Sequence, residues 1–437
     1  MIDIKKDVSL VDDMQEYDFL KIEPERGPAS RPQSIEDFDV RQSVLEDIAL
    51  KTLYLSGSLS ILELSEKIRL SFEVAKEISF HLRTEMLCQV NGMMGNIPQL
   101  AITSAGRSRA VDLLAQSHYA GPAPVSLQSY VEQTRKQSVR KLEVHADEVK
   151  RAFSHLVIEP VTLRRFGTAL NSGSSIFIYG PPGTGKTTVA ETLCKVIAED
   201  AIWIPHAVEV DGQIISVYDP AIHVRAKEVP TNHDERWVLC QRPSVLVGGE
   251  LTAEMLDLQY NPTTKFYVAP AQMKANNGVL IIDDFGRQRI RPEELLNRWV
   301  VPLDRRIDFL TLAGGKKLEV PFEMLVVFAS NMDPAELVDE CFLRRIQTKI
   351  KVGSVSDSSF VEIFRRVAVE NEVAYDPGIP QALIDFIRNT LKRELRQCYP
   401  RDIVNQVLWS ARYEGKKPYI NSQSLTQAEE AYFLQKG

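Results

Sequence analysis

The stretch Gly180-Pro181-Pro182-Gly183-Thr184-Gly185-Lys186-Thr187-Thr188 fits the pattern G-x-x-x-x-G-K-[ST]. Ahead of it, Ser175-Ile-Phe-Ile-Tyr179 reads as a short apolar strand, and Val189 to Ala198 behind it reads as a helix. Glycines at 180, 183 and 185 let a backbone fold around an anion, with N–H groups and the positive end of a helix aimed at it. Lys186 is placed to reach β- and γ-phosphates, and the Thr187 hydroxyl to complete the coordination of a magnesium ion. A chance Gly/Pro turn would not supply strand, loop, Lys-Thr and helix in this order.

Composition frames the rest. A chain of 437 residues, 44% hydrophobic and 25% charged, is long enough for two or three ordinary globular domains. Its net charge of -7 gives no general attraction to nucleic acid or to an anionic membrane. Five widely spaced cysteines (88, 194, 240, 341, 398) without a C-x-x-C argue for reduced thiols rather than a disulfide or zinc framework. The start, Met-Ile-Asp-Ile-Lys-Lys-Asp, has no apolar h-region, and no run approaches eighteen apolar residues, so a cytoplasmic protein without membrane insertion is expected.

Breakers and periodicity divide the chain into an acidic, flexible arm (1–35), a helical and hairpin domain (36–116), a linker and helix (117–143), a large α/β domain (144–353) and a small helical domain (354–437). In the second unit, helices are expected around Leu45 to Leu53, over Ile61 to Leu70 and over Ser71 to Met86, followed by strands at Leu87 to Val90 and Gln99 to Thr103. Three helices and a hairpin make a winged-helix-like unit. Residues 36–116 carry eight Lys/Arg against eleven Asp/Glu, a net of -3, and the third helix bears Glu73, Glu77 and Glu85. Such a surface is poorly suited to neutralising phosphates and favours docking to protein over DNA.

Downstream, Gly278-Val-Leu-Ile-Ile-Asp283-Asp284 predicts a buried strand with two carboxylates at its C-terminal end, where open α/β sheets bind ligands. Asp283 would hold the hydrated magnesium and Asp284 would orient the attacking water. Met324 to Ala329 predicts another buried strand ending in Ser330-Asn331, whose amide both donates and accepts; a helix cap is the structural alternative. Arg344 and Arg345 follow an apolar pair, and Arg401 lies in the first turn of a helix begun around Pro400.

In this order the elements resemble those of the AAA+ ATPases over residues 150 to 437. The resemblance implies a parallel-sheet α/β P-loop core with a C-terminal helical lid. It makes Gly180 to Thr188 the Walker A loop, Asp283 and Asp284 the Walker B pair, and Asn331 sensor 1. Arg344 or Arg345 becomes the arginine finger and Arg401 sensor 2, so that Asp284, Asn331 and the arginine pair are catalytic. It further implies binding of ATP and Mg2+, ATP hydrolysis, a homo-oligomeric ring, and remodelling of a protein client or adaptor. A DNA-linked loader or regulator using the winged helix, and a slow nucleotide-gated scaffold, stay open beside that reading.

Two features depart from the family pattern. Asp284 stands where glutamate is usual. The 97 residues from Lys186 to Asp283 far exceed the roughly 30-residue βαβ crossover. Within them Val208 to Ile215 predicts a hairpin with an Asp-Gly turn, Gly248 to Thr252 precedes an expected helix, and Tyr260, Phe266 and Tyr267 are either substrate grips or core. His206, His223, His233 and Cys240 match no metal-ligand spacing.

Overall fold

The computed structural model describes residues 27–28 and 31–433; most of the expected arm lies outside the described residues. At the centre is a five-stranded parallel sheet: β1 (Ile176–Tyr179), β2 (Ser244–Val247), β3 (Val279–Ile282), β4 (Leu325–Ser330) and β5 (Thr348–Lys351), in spatial order β2-β3-β4-β1-β5. The chain is therefore α/β. Side chains alternate between the two faces at the strand period. Ile176, Ile178, Val279, Ile281, Leu325 and Val327 pack against the helices Pro160–Ser172 and Lys186–Ile197. Phe177, Leu280, Ile282, Val326 and Phe328 pack on the other face, where helix Pro292–Arg305 contributes Leu295, Leu296 and Trp299. Both faces are covered, which explains the unbroken apolar runs. The register aligns Val247 with Ile282, Ile282 with Phe328, and Tyr179 with both Ser330 and Lys351, so Gly180, Asp283 and Asn331 leave the sheet at one edge.

The long interval after Lys186, together with Val125–Ser126 and Ile307–Pro321, builds a second, mainly β layer with its own core beside the parallel sheet. Strands Gln259–Asn261, Phe266–Val268, Gln213–Ser216, Ala207–Val210 and Val125–Ser126 form a mixed sheet in that order. Ala201–Pro205 pairs with Trp237–Gln241, and Ile307–Thr311 with Lys317–Pro321. The expected hairpin is present, turning at Asp211 and Gly212 with φ of 50° and 81°. The expected helix after Gly248 is only a 3-10 turn, Glu254–Leu256. Helix Leu127–Lys136 belongs to this layer through the buried Tyr130.

In the N-terminal block, helices Gln42–Ser56, Ile61–Ile68, Phe72–Thr84 and Ser104–Gln116 surround an antiparallel sheet of Ser58–Ser60, Ile97–Ile102 and Cys88–Met94. Ser60 and Glu63 cap the second helix reciprocally, and Ser71 caps the third. The block is fastened to the β layer. Ala207 and Ile214 join its core, Phe266 meets Tyr119 edge to face, and buried Arg236 bonds Asp39 at 2.7 Å as well as Asp234. Helices Asp357–Glu370, Ile379–Asp385, Cys398–Tyr413 and Ser422–Tyr432 pack around one core at the other end of the chain. Among the described residues no helix is long and apolar enough to cross a membrane.

Candidate functional site

The loop leaving β1 is held by close approach on two sides. A Cβ at Gly180, whose φ is 149°, would overlap the Val352 carbonyl. At Gly183 (φ 80°) it would come 2.5 Å from the Cys398 sulfur. Only glycine fits where the loop is squeezed between sheet and C-terminal helices. Thr184 closes the turn by donating to the Pro181 carbonyl at 2.9 Å. Gly185 starts the twelve-residue helix Lys186–Ile197 without a side-chain cap, so its first N–H groups face the loop. Pro182 and Thr188 are exposed on the rim.

Lys186 is buried, and its Nζ donates to the carbonyls of Gly180 (3.0 Å) and Pro181 (2.9 Å) and to Asn331 Oδ1 (2.7 Å). Burial pulls the ammonium below the usual lysine range, against the raising effect of Asp284 and Asp283. Thr187 Oγ1 donates to both Asp283 oxygens, at 3.1 and 2.9 Å. Asp284 sits in the left-handed region with φ 49°. Its Oδ1 accepts from Asn331 Nδ2 at 2.8 Å. Asn331 is not a cap: Asp333 caps the helix Pro334–Leu337 instead. The turn that carries Asp284 is clasped by Gln288, which donates to the Asp283 carbonyl at 2.6 Å and accepts from the Gly286 N–H at 2.8 Å. No sequence pattern announces that clasp.

The remaining arginines separate by environment. Arg345 reaches Asp304 at 3.0 Å and is largely buried, whereas Arg344 is exposed at the end of the short helix Glu340–Leu343. Arg401 lies two-thirds exposed, 3.8 Å from Asp402. The C-terminal residues that meet the loop come earlier. Cys398 N–H donates to the Gly183 carbonyl at 3.1 Å, and Gln397 closes over Gly185. Arg396 bears electrostatically on Lys186. Pro181, Thr184, Ser354, Arg393, Glu394 and Arg396 line a cavity of about 190 Å³. Arg396 went unnoticed in the sequence because it precedes the helix, in an irregular segment with no periodicity.

In the β layer, Tyr267 is buried with its hydroxyl accepting from the Ala313 N–H, and Phe266 packs toward the N-terminal block. Tyr260 is partly exposed against Tyr267. His223 is a buried structural residue, bonded at both ring nitrogens to the backbone of Asp219 and Lys274. Burial, with Arg69 and Arg225, pushes His206 down to about 4, and burial pushes Cys240 up to about 12. No group of three metal-ligating side chains occurs among the described residues.

The donor set fits a nucleotide phosphate chain with magnesium. An ammonium lies buried with only neutral oxygens in contact, beside a glycine cradle, and a hydroxyl touches a carboxylate at the mouth of a parallel sheet.

A family model described as a domain of unknown function (DUF8689) matches residues 356–431, the C-terminal helical unit. No curated protein matches. Among solved structures, the Thermotoga maritima RuvB Holliday junction branch migration motor is similar at 15% identity, over 67% of this chain and 73% of that chain, with a TM-score of 0.34. NtrX from Brucella abortus in complex with ADP is similar at 15% identity over 74% of this chain and 65% of that chain, with a TM-score of 0.39. A second NtrX structure gives 15% identity, 66% and 58% coverage, and 0.40. At these scores the likeness carries no residue-level correspondence.

Proposed function

We propose that this chain is a magnesium-dependent ATPase of the AAA+ type that works as a homo-oligomer and remodels a protein partner. One observation carries the hydrolytic part: Lys186, Thr187, Asp283, Asp284 and Asn331 converge in one hydrogen-bonded set at the C-terminal edge of three adjacent strands. In this reading Gly180 to Thr188 hold the phosphates. Thr187 and Asp283 would hold magnesium, which would supply neutralisation of phosphate charge. Asp284 accepts a proton from the attacking water, and Asn331 fixes that carboxylate while sensing Lys186. Arg344 is the better finger, because its guanidinium is exposed while Arg345 is committed to Asp304. Arg396 takes the phosphate-facing role that the sequence assigned to Arg401.

We read residues 36–116 as a winged-helix-like domain, and its surface favours protein over DNA. From Met86 to Gly106 there is no charged residue, so the hairpin has nothing with which to neutralise phosphates. It exposes apolar side chains instead, with Met86, Met93 and Met94 each more than half exposed. The test is steady-state phosphate release with and without magnesium, for the parent and Lys186→Ala, alongside light scattering with ATP. Turnover that survives Lys186→Ala would overturn the ATPase reading. Steep, salt-sensitive stimulation by DNA would favour the DNA-linked alternative.

A further inference from the structure

Helix Cys398–Tyr413 buries Ile403, Val404 and Val407 on one side. At about 100° per residue, Asn405, Trp409, Arg412 and Tyr413 fall on the opposite side. Trp409 is 59% exposed and Tyr413 93%, one helical turn apart, so neither ring serves the core. The helix ends at Gly415, in the left-handed region with φ 68°, and the Lys416 N–H donates back to the Ala411 carbonyl at 2.9 Å. That turn holds the backbone of Lys416 at the helix end, so Arg412, Lys416 and Lys417, all exposed, gather at the same end as the two rings. Residues 405–418 hold these three cations against one acid, Glu414, which Lys416 engages at 2.7 Å. Arg412 and Lys417 have no acidic partner among the described residues. The nearby acids Asp402 and Asp376 accept from the hydroxyls of Tyr432 and Tyr419, each at 2.6 Å. The favourable field of a helix C-terminus accounts for the cations alone. It leaves two solvent-facing aromatic rings unexplained.

We propose that Trp409, Tyr413, Arg412, Lys416 and Lys417 form a binding platform for single-stranded nucleic acid. Each nucleotide of such a strand carries a flat base and a phosphate, so one ligand covers the rings and neutralises the cations together. An acidic polypeptide would answer the cations and leave the rings in water. An apolar protein surface would cover the rings but strip water from Arg412, Lys416 and Lys417 without a counter-charge. A duplex keeps its base faces stacked on one another and out of reach. Local charge decides the attraction, because at about 0.15 M salt the field of a charge is screened over about 8 Å, whereas the net charge of -7 is a sum over the whole chain. Trp409 lies about 16 Å along the helix from Cys398, the residue that meets the Gly180–Thr188 loop. The platform is therefore separate from the nucleotide site, and it uses no residue of 36–116.

The experiment is anisotropy of a fluorescein-labelled dT20 oligonucleotide titrated with full-length protein, without ATP, at about 0.1 M salt. An abasic strand of the same length and a polyglutamate peptide, both labelled, run in parallel. The parent should bind dT20 at least about tenfold more tightly than the abasic strand. Trp409→Ala with Tyr413→Ala should remove that preference. Arg412→Gln, Lys416→Gln and Lys417→Gln together should weaken both strands and flatten the salt dependence. All five side chains are exposed, so thermal melts of both variants should match the parent's. Failure of the parent to bind dT20, equal parent affinity for dT20 and the abasic strand, or unchanged dT20 affinity in the ring variant overturns the proposal. Tighter binding of polyglutamate than of dT20 overturns the choice of nucleic acid. A parent that ignores dT20 but self-associates by light scattering, and loses that association in the ring variant, assigns the surface to a second copy of the chain instead. Lys186→Ala should bind dT20 as the parent does, so failure of the ATPase reading and failure of the platform are read separately.

Discussion

Lys186 and Asn331 are joined by a 2.7 Å hydrogen bond, and the amide nitrogen of the same asparagine reaches Asp284 at 2.8 Å. One planar amide thus couples the lysine proposed to bind phosphate to the carboxylate proposed to orient water. Asn331→Ala should leave ATP affinity within a few-fold and lower turnover by about 10²-fold, the usual scale for losing an oriented acid–base group. Asn331→Asp puts a carboxylate against the Lys186 ammonium, competes with phosphate and should weaken ATP about tenfold or more. Fluorescent-nucleotide titration and phosphate release separate the two. Full turnover in the alanine variant would remove Asn331 from the mechanism.

The aspartate at 284 follows from its backbone. A φ of 49° suits Asp, Asn and Gly better than Glu, and the Gln288 clasp fixes that turn. Asp284→Asn keeps the turn and should abolish hydrolysis while retaining ATP. Asp284→Glu should cost about 1 kcal/mol in stability and give no faster turnover. A glutamate variant that outruns the parent would show that carboxylate reach, not the turn, limits catalysis.

Arg344 and Arg345 make opposite predictions although they are neighbours. Arg345→Ala removes the Asp304 pair and should lower stability by about 0.5–1 kcal/mol in thermal melts. Arg344→Ala leaves the melt unchanged and should reduce turnover by about 10³-fold with ATP binding spared. If sites are shared between copies, mixing Arg344→Ala with Lys186→Ala recovers part of the activity. Undiminished turnover in Arg344→Ala rules it out as a finger.

The core was legible because buried parallel strands announce themselves as unbroken apolar runs, and the Gly180–Thr188 loop because its glycines and Lys-Thr form a fixed pattern between strand and helix. Of the β layer only the hairpin at Asp211-Gly212 was legible: its strands are two to five residues long, and several pair across distant sequence, as Val125–Ser126 does with Val208 and Glu209 and Ala201–Pro205 with Trp237–Gln241, so no local period reveals them. Gln288 and Arg396 were invisible for the same reason: their roles depend on which carbonyl or loop they meet in three dimensions.

In the C-terminal unit, burial pushes Glu429 up to about 7 from 4.5. With its folded pKa above the unfolded one, the folded state holds an extra proton between about pH 4.5 and 7, and stability falls as pH rises through that window. Glu429→Gln should match the parent near pH 4.5 and exceed it above pH 7 by on the order of 1–2 kcal/mol. Parallel melting curves across that range would show that Glu429 carries no buried charge.

The N-terminal block gives the opposite sign. Burial alone would raise the Asp39 carboxyl, but Arg236 at 2.7 Å and bonds including the Ser126 N–H outweigh it and bring the group down to about 2 from 3.8. The stabilisation is complete above the unfolded value and disappears as pH falls through the folded one. Asp39→Asn should therefore cost about 2 kcal/mol at pH 7 and almost nothing at pH 2. Asp39 joins the N-terminal block to Arg236 of the β layer, so the loss should appear first as protease cleavage near residues 117–124, before the parallel sheet unfolds. If the variant instead resists cleavage there and unfolds in a single step with the parent's midpoint at pH 7, this ion pair does not hold the block in place.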